Sequence, residues 1–345
     1  MEKIDFRSDT VSWPTPNMRK AMANARIGDD VYGEDPSVLE LEALAAQKVG
    51  KEAGLFVSSG TMGNLTAILA HTHRGGQAIV GVDAHANRYE AGGMAMFAGV
   101  MPKPLATDKN GRMSYTAIQE AISPDDPHYP PTELILVENS YGTKAGYPIE
   151  VDYFAQIQAI AQQHQLKTHM DGARLFNAAV ALDLPATDIT QYVDSVTFCL
   201  SKGLCAPIGS VLCGSEELIY HARRARKALG GGMRQAGFMA AAGIVAINEM
   251  TERLVEDHKH AYQLATALAE LPQIKIDLDT VKTNMVFFEI AAGHPMTTAQ
   301  FLQGLAAENI LLNTTYGSQF RAVTHYWIGE EEVEKFVQCT RELLE

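Results

Sequence analysis

The sequence has few of the features that mark a secreted or metal-binding protein. Of 345 residues only four are cysteine, and no two of them form a CxxC pair. Three lie in apolar, strand-like runs, which indicates buried free thiols in a reducing compartment. No Cys/His spacing supports a zinc site, so we expect no metal ligands. These observations predict a cytoplasmic protein with neither disulfides nor a metal.

Long apolar runs are also missing. No segment approaches the roughly 18 unbroken apolar residues of a membrane span. The first ten residues, MEKIDFRSDT, are charged and contain no apolar h-region, which argues against a signal peptide. The sequence therefore predicts no association with a membrane.

Positive charge is scarce. Lys and Arg number 28 against 41 Asp and Glu, for a formal net charge of -13, and there is no basic run. This balance argues against nucleic acid or an anionic membrane as the main partner. A nucleotide-binding role has little support either, because the chain has neither a GxGxxG motif nor a Walker A loop.

What the sequence does contain is a regular alternation of short apolar runs with helical patterns. Strands are predicted at Gly54–Ser58, Ala78–Asp83, Leu134–Asn139, Lys167–Gly172, Ser195–Ser201 and Ser210–Ser215. Helices are predicted at Thr61–His71, Ala86–Gly99 and Asp152–Gln163, and as one run from Met233 to about Leu271. Short strands that alternate with helices indicate an α/β fold with a mainly parallel sheet covered on both faces. We expect a large domain over residues 1–245 and a small α+β domain over residues 246–345.

Three polar segments follow predicted strands. Ser59, Gly60 and Thr61 open a helix, where backbone N–H groups can bind a phosphate. Asp171 ends one strand and Lys202 follows another, and ligands bind at the carboxyl ends of strands in an open parallel sheet. A phosphate cradle, a carboxylate for a pyridine nitrogen and a lysine for an imine together suggest pyridoxal 5'-phosphate (PLP).

Each of the three segments also has a simpler interpretation. The helix-opening segment could be a plain N-cap turn. Asp171 could form a structural ion pair with Arg174, since a buried carboxylate needs a cationic partner. Lys202 could be an exposed turn residue.

Six motifs in order resemble the threonine aldolases of the low-specificity or L-allo type. They are DFRSDTV, GDDVYGEDP, SGTMGNL, DGARLFNA, CLSKGLCAPIGS and GGGMRQAG. The resemblance runs from the first residues past Arg321. It implies the aspartate-aminotransferase fold (fold type I) with a mainly parallel seven-stranded sheet, and PLP as cofactor. It also implies a homotetramer built from dimers, with active sites at the dimer interface.

The resemblance assigns roles to residues at matching positions. Lys202 matches the Schiff-base lysine, Asp171 the partner of the pyridine nitrogen and Arg174 the arginine beside the ring oxygen. Ser59, Gly60 and Thr61 match the phosphate cradle, and Arg234 matches an arginine that reaches a phosphate, which we expect to be that of a neighbouring subunit. Ser8 and Arg321 match the pair that holds the substrate carboxylate.

Four further residues are assigned by the resemblance. His85 matches the histidine that stacks on the cofactor ring, and His128 the one near the substrate β-hydroxyl. Either could be the catalytic base. Lys227 matches a lysine near the site, and Tyr32 is expected beside the site of a neighbouring chain. A surface position is the alternative for His128 and Lys227.

Two departures from the family pattern stand out. Ser140-Tyr141 replaces the Thr-His that relatives usually have after Glu-Asn, and we expect this stretch near the pocket. Cys205 replaces a glycine that commonly follows SKGL.

The resemblance implies aldol cleavage of L-threonine, L-allo-threonine or related β-hydroxy-α-amino acids to glycine and an aldehyde such as acetaldehyde. Threonine catabolism and glycine biosynthesis are the implied roles in amino acid metabolism. A PLP-dependent β-eliminating lyase is the main alternative, because a fold does not fix a reaction. A non-catalytic PLP-binding protein is a more distant one.

Overall fold

The computed structural model describes residues 3–315 and 317–345. The strands are β1 Ile4–Asp5, β2 Ala53–Val57, β3 Gln77–Gly81, β4 Met101–Leu105, β5 Thr132–Glu138, β6 Lys167–Asp171, β7 Ser195–Cys199, β8 Ser210–Gly214, β9 Ile274–Ile276, β10 Met285–Ile290, β11 Ile310–Leu311, β12 Asn313–Thr314 and β13 Phe320–Val323. The helices are α1 Pro16–Ala23, α2 Pro36–Lys48, α3 Gly60–His71, α4 His85–Arg88, α5 Tyr115–Ala121, α6 Val151–Gln163, α7 Leu175–Leu182, α8 Ala186–Thr190, α9 Glu216–Ala228, α10 Gly237–Val245, α11 Leu254–Ala269, α12 Thr298–Ala307 and α13 Glu330–Leu344.

The large sheet has seven strands in the order β2-β8-β7-β6-β5-β3-β4. The pairs from β7 to β4 are parallel, whereas β8 is antiparallel to both of its neighbours. Six strands therefore run in one direction and bring their carboxyl ends to one edge of the sheet. The predicted mainly parallel sheet is confirmed.

The sequence identified six of the seven strands to within about two residues at each end. It missed β4, whose sequence MPKPL contains two prolines and is partly exposed. Proline cannot donate to a strand ladder and is tolerated at the edge of a sheet, which is where β4 lies. The apolar pattern is weak at such an edge, so the periodicity gave no signal.

Two predicted helices are shorter than expected. The helix predicted over Ala86–Gly99 is divided into α4 and a π-helical turn at Met94–Ala98, because Ala91 and Gly92 adopt positive φ values of 53° and 70°. The long helix predicted from Met233 begins only at Gly237, and a π-helical turn at Ala246–Met250 separates α10 from α11.

A second layer forms the C-terminal part of the chain. An antiparallel sheet with the order β12-β13-β10-β9 packs with α11, α12 and α13 around its own buried cluster. The start of the N-terminal segment packs with this second layer, because β1 pairs with β11 and Phe6 lies in the second cluster. The division at residue 245 stays a prediction.

None of the helices in the described part of the chain is both long and apolar enough to cross a membrane.

Candidate active site

A cavity of about 610 Å³ lies at the carboxyl ends of the parallel strands. Five of the predicted site residues line it, from separate parts of the chain: Ser8, His85, Arg174, Lys202 and Arg321. The sequence separation between them is large, and the packing of the N-terminal segment, the parallel sheet and the second sheet brings them together. The cavity is therefore the candidate active site.

Lys202 stands on a turn that the backbone holds at both ends. The N–H groups of Leu200 and Ser201 donate to the Gly209 carbonyl at 3.0 and 3.3 Å, and the Lys202 carbonyl accepts from the Cys205 N–H at 2.9 Å. The Ser12 hydroxyl donates to the same Lys202 carbonyl at 2.9 Å. The lysine backbone is thus fixed while its side chain faces the cavity.

Cys205 completes this turn in a left-handed conformation, with φ 62°. This region is costly for a residue with a Cβ atom, and glycine adopts it freely. The thiol is fully buried, and burial raises the pKa of Cys205 to about 12. The structure explains the glycine of the family pattern as a backbone requirement, and it places the Cys205 thiol in the packed interior behind the turn.

Asp171 ends β6 and is 2% exposed, and its carboxylate lies within 4.8 Å of a ring nitrogen of His85, which lines the cavity; we call this buried region beside the cavity its floor. Its Oδ1 accepts from the Ala173 N–H at 3.0 Å, and its Oδ2 accepts from Asn64 Nδ2 at 2.8 Å. The expected structural alternative, an ion pair between Asp171 and Arg174, is wrong. No described cation pairs with Asp171, so its negative charge remains available to a protonated ring nitrogen.

Arg174 instead forms a bidentate pair with Asp9. Its Nε donates to Oδ2 at 2.8 Å and its Nη2 to Oδ1 at 2.6 Å. Burial opposes the ionisation of Asp9, but Arg174 holds the pKa of this carboxyl well below its usual range. The fork geometry fixes the guanidinium plane at the cavity wall.

His85 begins α4 after β3, and its Nδ1 lies 2.9 Å from Oε1 of the buried Glu90. This hydrogen bond raises the pKa of His85, while burial raises the pKa of Glu90. Both shifts favour retention of a proton by the pair. With Nδ1 held by Glu90, Nε2 is the atom through which His85 can exchange a proton.

Glu138 is a cavity residue that the sequence analysis did not single out. It ends β5, and its carboxylate accepts the N–H groups of His85 and Gly142 at 2.9 and 2.8 Å. Burial, with a contribution from nearby Asp171, raises the pKa of Glu138 to about 7. A carboxyl at the end of an apolar strand is the same signal that identified Asp171.

Arg321, on β13 of the second sheet, and Ser8, in the N-terminal segment, also line the cavity. Arg321 Nη2 donates to the Arg7 carbonyl at 3.1 Å, whereas its buried Nε has no hydrogen-bond partner among the described residues. Burial, and then Arg174, lowers the pKa of Arg321. An unsatisfied guanidinium N–H in a cationic wall fits a bound carboxylate.

The predicted phosphate cradle is the N-terminus of α3, directly after β2. The Ser59 hydroxyl caps the helix by accepting from the Met62 N–H at 3.1 Å, which leaves the Gly60 and Thr61 N–H groups without an intrahelical acceptor. A Cβ atom at Gly60 would lie 2.9 Å from Cys199 Sγ. Glycine is therefore needed here for close packing on β7.

Eight predicted site residues do not line the cavity: Asp171 and the three residues of the predicted phosphate cradle, described above, and four exposed residues. Tyr32 is 74% exposed, and Lys227 is exposed on α9. Arg234 is exposed and pairs with Asp29 at 3.0 Å. The His128 side chain is 88% exposed and pairs with Asp126 at 2.7 Å. Their assigned roles stay predictions.

Ser140-Tyr141, which departs from the family pattern, lies behind the cavity wall. Both residues are buried and neither lines the cavity, although the next two residues do. A Cβ atom at Gly111 would lie 2.4 Å from the Tyr141 ring, so the ring packs against this glycine. Ser140-Tyr141 therefore adjoins the cavity through Gly142, while the Tyr141 side chain points into the core behind the wall.

His85, Glu90 and Asp171 also place three potential ligand atoms within 4.8 Å of one another. Asn64 Nδ2 lies between the two carboxylates and donates to each at 2.8 Å. These oxygens are already satisfied by an amide, so the group has the character of a hydrogen-bonded network. The prediction of no metal ligands stays a prediction.

Comparisons with known proteins agree with this geometry. Residues 5–291 match the family model described as β-eliminating lyase. The chain is 42% identical to low-specificity L-threonine aldolase 1 of Arabidopsis thaliana over 349 residues, covering 100% of this chain and 97% of that protein. It is 39% identical to the low specificity L-threonine aldolase of Escherichia coli strain K12, covering 99% of each. The chain belongs to the low-specificity L-threonine aldolase family.

The fold agrees as well. The chain superposes on the threonine aldolase of Leishmania major with a TM-score of 0.83 and 20% identity, covering 99% of this chain and 100% of that one. Fold type I is thereby confirmed, as is membership of a family of PLP-dependent lyases. The residues present fit PLP: N–H groups without an intrahelical acceptor at the N-terminus of α3, the buried carboxylate of Asp171, and Lys202 on the cavity wall.

Proposed function

We propose that this chain catalyses aldol cleavage of L-threonine, L-allo-threonine and related β-hydroxy-α-amino acids, which yields glycine and an aldehyde such as acetaldehyde. The observation that carries this proposal is the convergence of Lys202, His85 and Arg321 on one cavity above Asp171. The cavity provides a covalent anchor, a proton acceptor and a carboxylate-binding group. These are the three functions that the cleavage requires.

Arg321 and Ser8 orient the substrate through its carboxylate. The free Nε of Arg321 and its neighbouring guanidinium N–H groups match the two oxygens of a carboxylate. Arg174 lies on the same wall, where its bidentate pair with Asp9 offsets its charge and fixes its guanidinium. The α-carbon and its substituents then lie toward Lys202 and His85.

PLP, when bound, supplies the electron sink that receives the electron pair of the broken Cα–Cβ bond. Lys202 would hold it covalently, Asp171 would bind its protonated ring nitrogen, and the N-terminus of α3 would bind its phosphate. The fixed backbone of the Lys202 turn limits the positions that the amine can reach.

His85 is our choice for the base that removes the β-hydroxyl proton. Glu90 occupies Nδ1, so Nε2 can accept the proton as the bond breaks, and Glu90 stabilises the resulting imidazolium. Protonation of Cα afterwards gives glycine. Glu138, beside His85 and with its pKa raised to about 7, is a second group that could carry a proton at neutral pH.

The test is to incubate purified protein with L-threonine and with L-allo-threonine separately and to measure acetaldehyde and glycine. We expect both products, a cofactor absorption band in the wild type, and loss of that band in Lys202→Ala. Pyruvate and ammonia in place of acetaldehyde would show a β-eliminating lyase, the reading that the family description also permits. A band without any product would indicate a non-catalytic PLP-binding protein.

The assembly is part of the same proposal. We propose a homotetramer of two dimers in the cytoplasm, with active sites at the dimer interface and a role in threonine catabolism and glycine biosynthesis. Supporting it, Tyr32, Met96 and Phe97 are 74%, 71% and 50% exposed, and large apolar side chains of this kind are often covered in an assembly. Light scattering of the purified protein measures the oligomeric state directly.

A further inference from the structure

A chain of buried polar groups begins beneath the cavity and has no assigned role. Asn64 Oδ1 lies 3.2 Å from His169 Nε2, His169 Nδ1 lies 2.8 Å from Ser195 Oγ, and Ser195 Oγ lies 2.7 Å from His71 Nε2. Asn64 and His71 are two turns apart on one face of α3, whereas His169 and Ser195 stand on β6 and β7. We call these four residues the α3–sheet chain.

The orientation of Asn64 is determined by the two carboxylates it contacts. Asp171 Oδ2 and Glu90 Oε1 each lie 2.8 Å from the same Asn64 atom, Nδ2. Both are acceptors, so this atom must be the amide nitrogen, which has two hydrogens to donate. The carbonyl oxygen of Asn64 then faces His169 and must accept from it.

The other hydrogen bonds of the α3–sheet chain then all have the same direction. Burial lowers the pKa of His169 to about 3 and that of His71 to about 4, so each ring is neutral and carries one N–H. Nε2 of His169 carries its hydrogen, and therefore Nδ1 accepts from the Ser195 hydroxyl. Ser195 Oγ in turn accepts from His71 Nε2. Every donor in the chain points toward Asp171.

Close packing of α3 on the sheet makes the chain possible. A Cβ atom at Gly63 would lie 2.4 Å from the Thr197 side chain on β7, so α3 approaches the sheet closely at this glycine. At that distance the short side chain of Asn64 reaches Asp171. The same helix carries the predicted phosphate cradle at its N-terminus.

We propose that His169 and Ser195 are positioning residues that hold the Asn64 amide nitrogen toward Asp171 and Glu90. Without them Asn64 could rotate and present its carbonyl oxygen to two carboxylates, which would destabilise the charge of Asp171 and weaken its bond to the cofactor ring nitrogen. The inference rests on the proposed function, in which Asp171 contacts PLP.

A matched pair of variants separates the two contacts of His169. In His169→Gln the amide nitrogen extends about as far as Nε2 and keeps the donor for Asn64. In His169→Asn the shorter side chain keeps the contact with Ser195 and loses the one with Asn64. His164→Gln, at an exposed position after α6, is the control for loss of a histidine.

The measurements are the Kd of the apoprotein for PLP, the pH at which the bound cofactor band changes, and the unfolding temperature of the apoprotein. We expect His169→Asn to raise the Kd about tenfold and to move the midpoint of the spectral titration by about one unit. His169→Gln should change the Kd less than about threefold. A purely structural role would lower the unfolding temperature in both variants without moving the spectral midpoint, and that result would overturn the inference.

Ser195→Ala keeps the inference testable if His169→Asn does not fold. It removes the donor to His169 without touching Asn64, and we expect a Kd about threefold higher and a shifted spectral midpoint. A wild-type affinity and midpoint in Ser195→Ala would contradict the inference. The proposed function fails separately: borohydride reduction of the PLP-loaded wild type would then leave no cofactor on Lys202.

Discussion

The floor of the active-site cavity and its outer rim are built differently. On the floor, Asp171, Asn64 and Glu90 are buried and joined by hydrogen bonds of 2.8 Å. The exposed residues that the resemblance assigns to the site, Tyr32 and His128, do not line the cavity of one chain, and we call them the rim; the His128 side chain pairs with Asp126. Asp171, Tyr32 and His128 were predicted from the sequence, whereas Asn64 and Glu90 were not.

The difference shows which half of the site one chain can build alone. Buried polar groups need partners within the fold, so the floor is fixed by the same contacts that stabilise the sheet and α3. The rim has no such requirement, and our proposed dimer would supply its missing partners. The predictions below change one group of the floor or the rim at a time.

Removing the charge of the floor should have the largest effect. Asp171→Asn keeps the shape of the side chain but replaces the anion with a neutral amide beneath the ring nitrogen. We expect kcat to fall by about 10³-fold, the scale of one preorganised electrostatic group. Asp183→Asn is the control, because it is exposed in a left-handed conformation that asparagine tolerates. A loss below about tenfold in Asp171→Asn would remove Asp171 from its assigned role.

The pH dependence of apoprotein stability tests the electrostatics around Glu138. Its pKa is about 7 in the fold against 4.5 for an unperturbed glutamate, so the folded state keeps a proton that the unfolded state has lost. Stability of the apoprotein therefore falls as pH rises from about 4.5 to about 7, by about 3 kcal/mol from this group. Urea titrations of Glu138→Gln across this range should show a flatter dependence. An unchanged slope would place the pKa of Glu138 near its usual value.

Substitutions of the two candidate histidines, His85 and His128, compare the cavity with the rim directly. His85→Asn keeps a donor near Nδ1 for Glu90 but removes Nε2, and we expect kcat to fall about 100-fold for loss of the general base. His128→Asn should change kcat less than about threefold if the rim histidine acts only at the surface. The reverse ranking would mean that the loop around His128 reaches a cavity in the assembled protein.

Sequence reasoning could predict Asp171 and Lys202, because each follows an apolar strand and a parallel sheet brings such strand ends to one edge. It missed Asn64, which lies within the quoted motif SGTMGNL, and Glu90, which lies five residues after His85. Their importance comes from a shared hydrogen bond between a helix and a loop, which no spacing along the chain reveals.

Other features required the backbone conformation. Cys205 had no explanation until its φ of 62° was known. Tyr141 was expected near the pocket because it adjoins Glu138, yet the side chain turns into the core against Gly111. Sequence places a residue along the chain, whereas the direction of its side chain depends on dihedral angles and on the space that neighbours leave.

Arg321 tests the carboxylate-binding side of the cavity. Arg321→Lys keeps the charge but loses the planar fork, and one charged hydrogen bond is worth about 1.5–3 kcal/mol. We expect kcat/KM to fall about 30-fold, mainly through KM, in assays with L-threonine as substrate. Arg19→Lys, exposed on α1, is the matched control. A fall confined to kcat would show that Arg321 acts on the chemical step and not on substrate binding.

The smallest expected effect concerns the turn that carries Lys202. Cys205→Ala and Cys205→Gly both remove the buried thiol, but only the glycine variant relieves the left-handed backbone. The relief is worth about 1–2 kcal/mol, and the greater freedom of glycine in the unfolded chain offsets part of it. We expect the glycine variant to be more stable than the alanine variant by about 1 kcal/mol in urea unfolding of the apoprotein. Equal stability of the two would mean that the contacts around Cys205, such as Ser12 on the Lys202 carbonyl, hold the turn regardless of its φ preference.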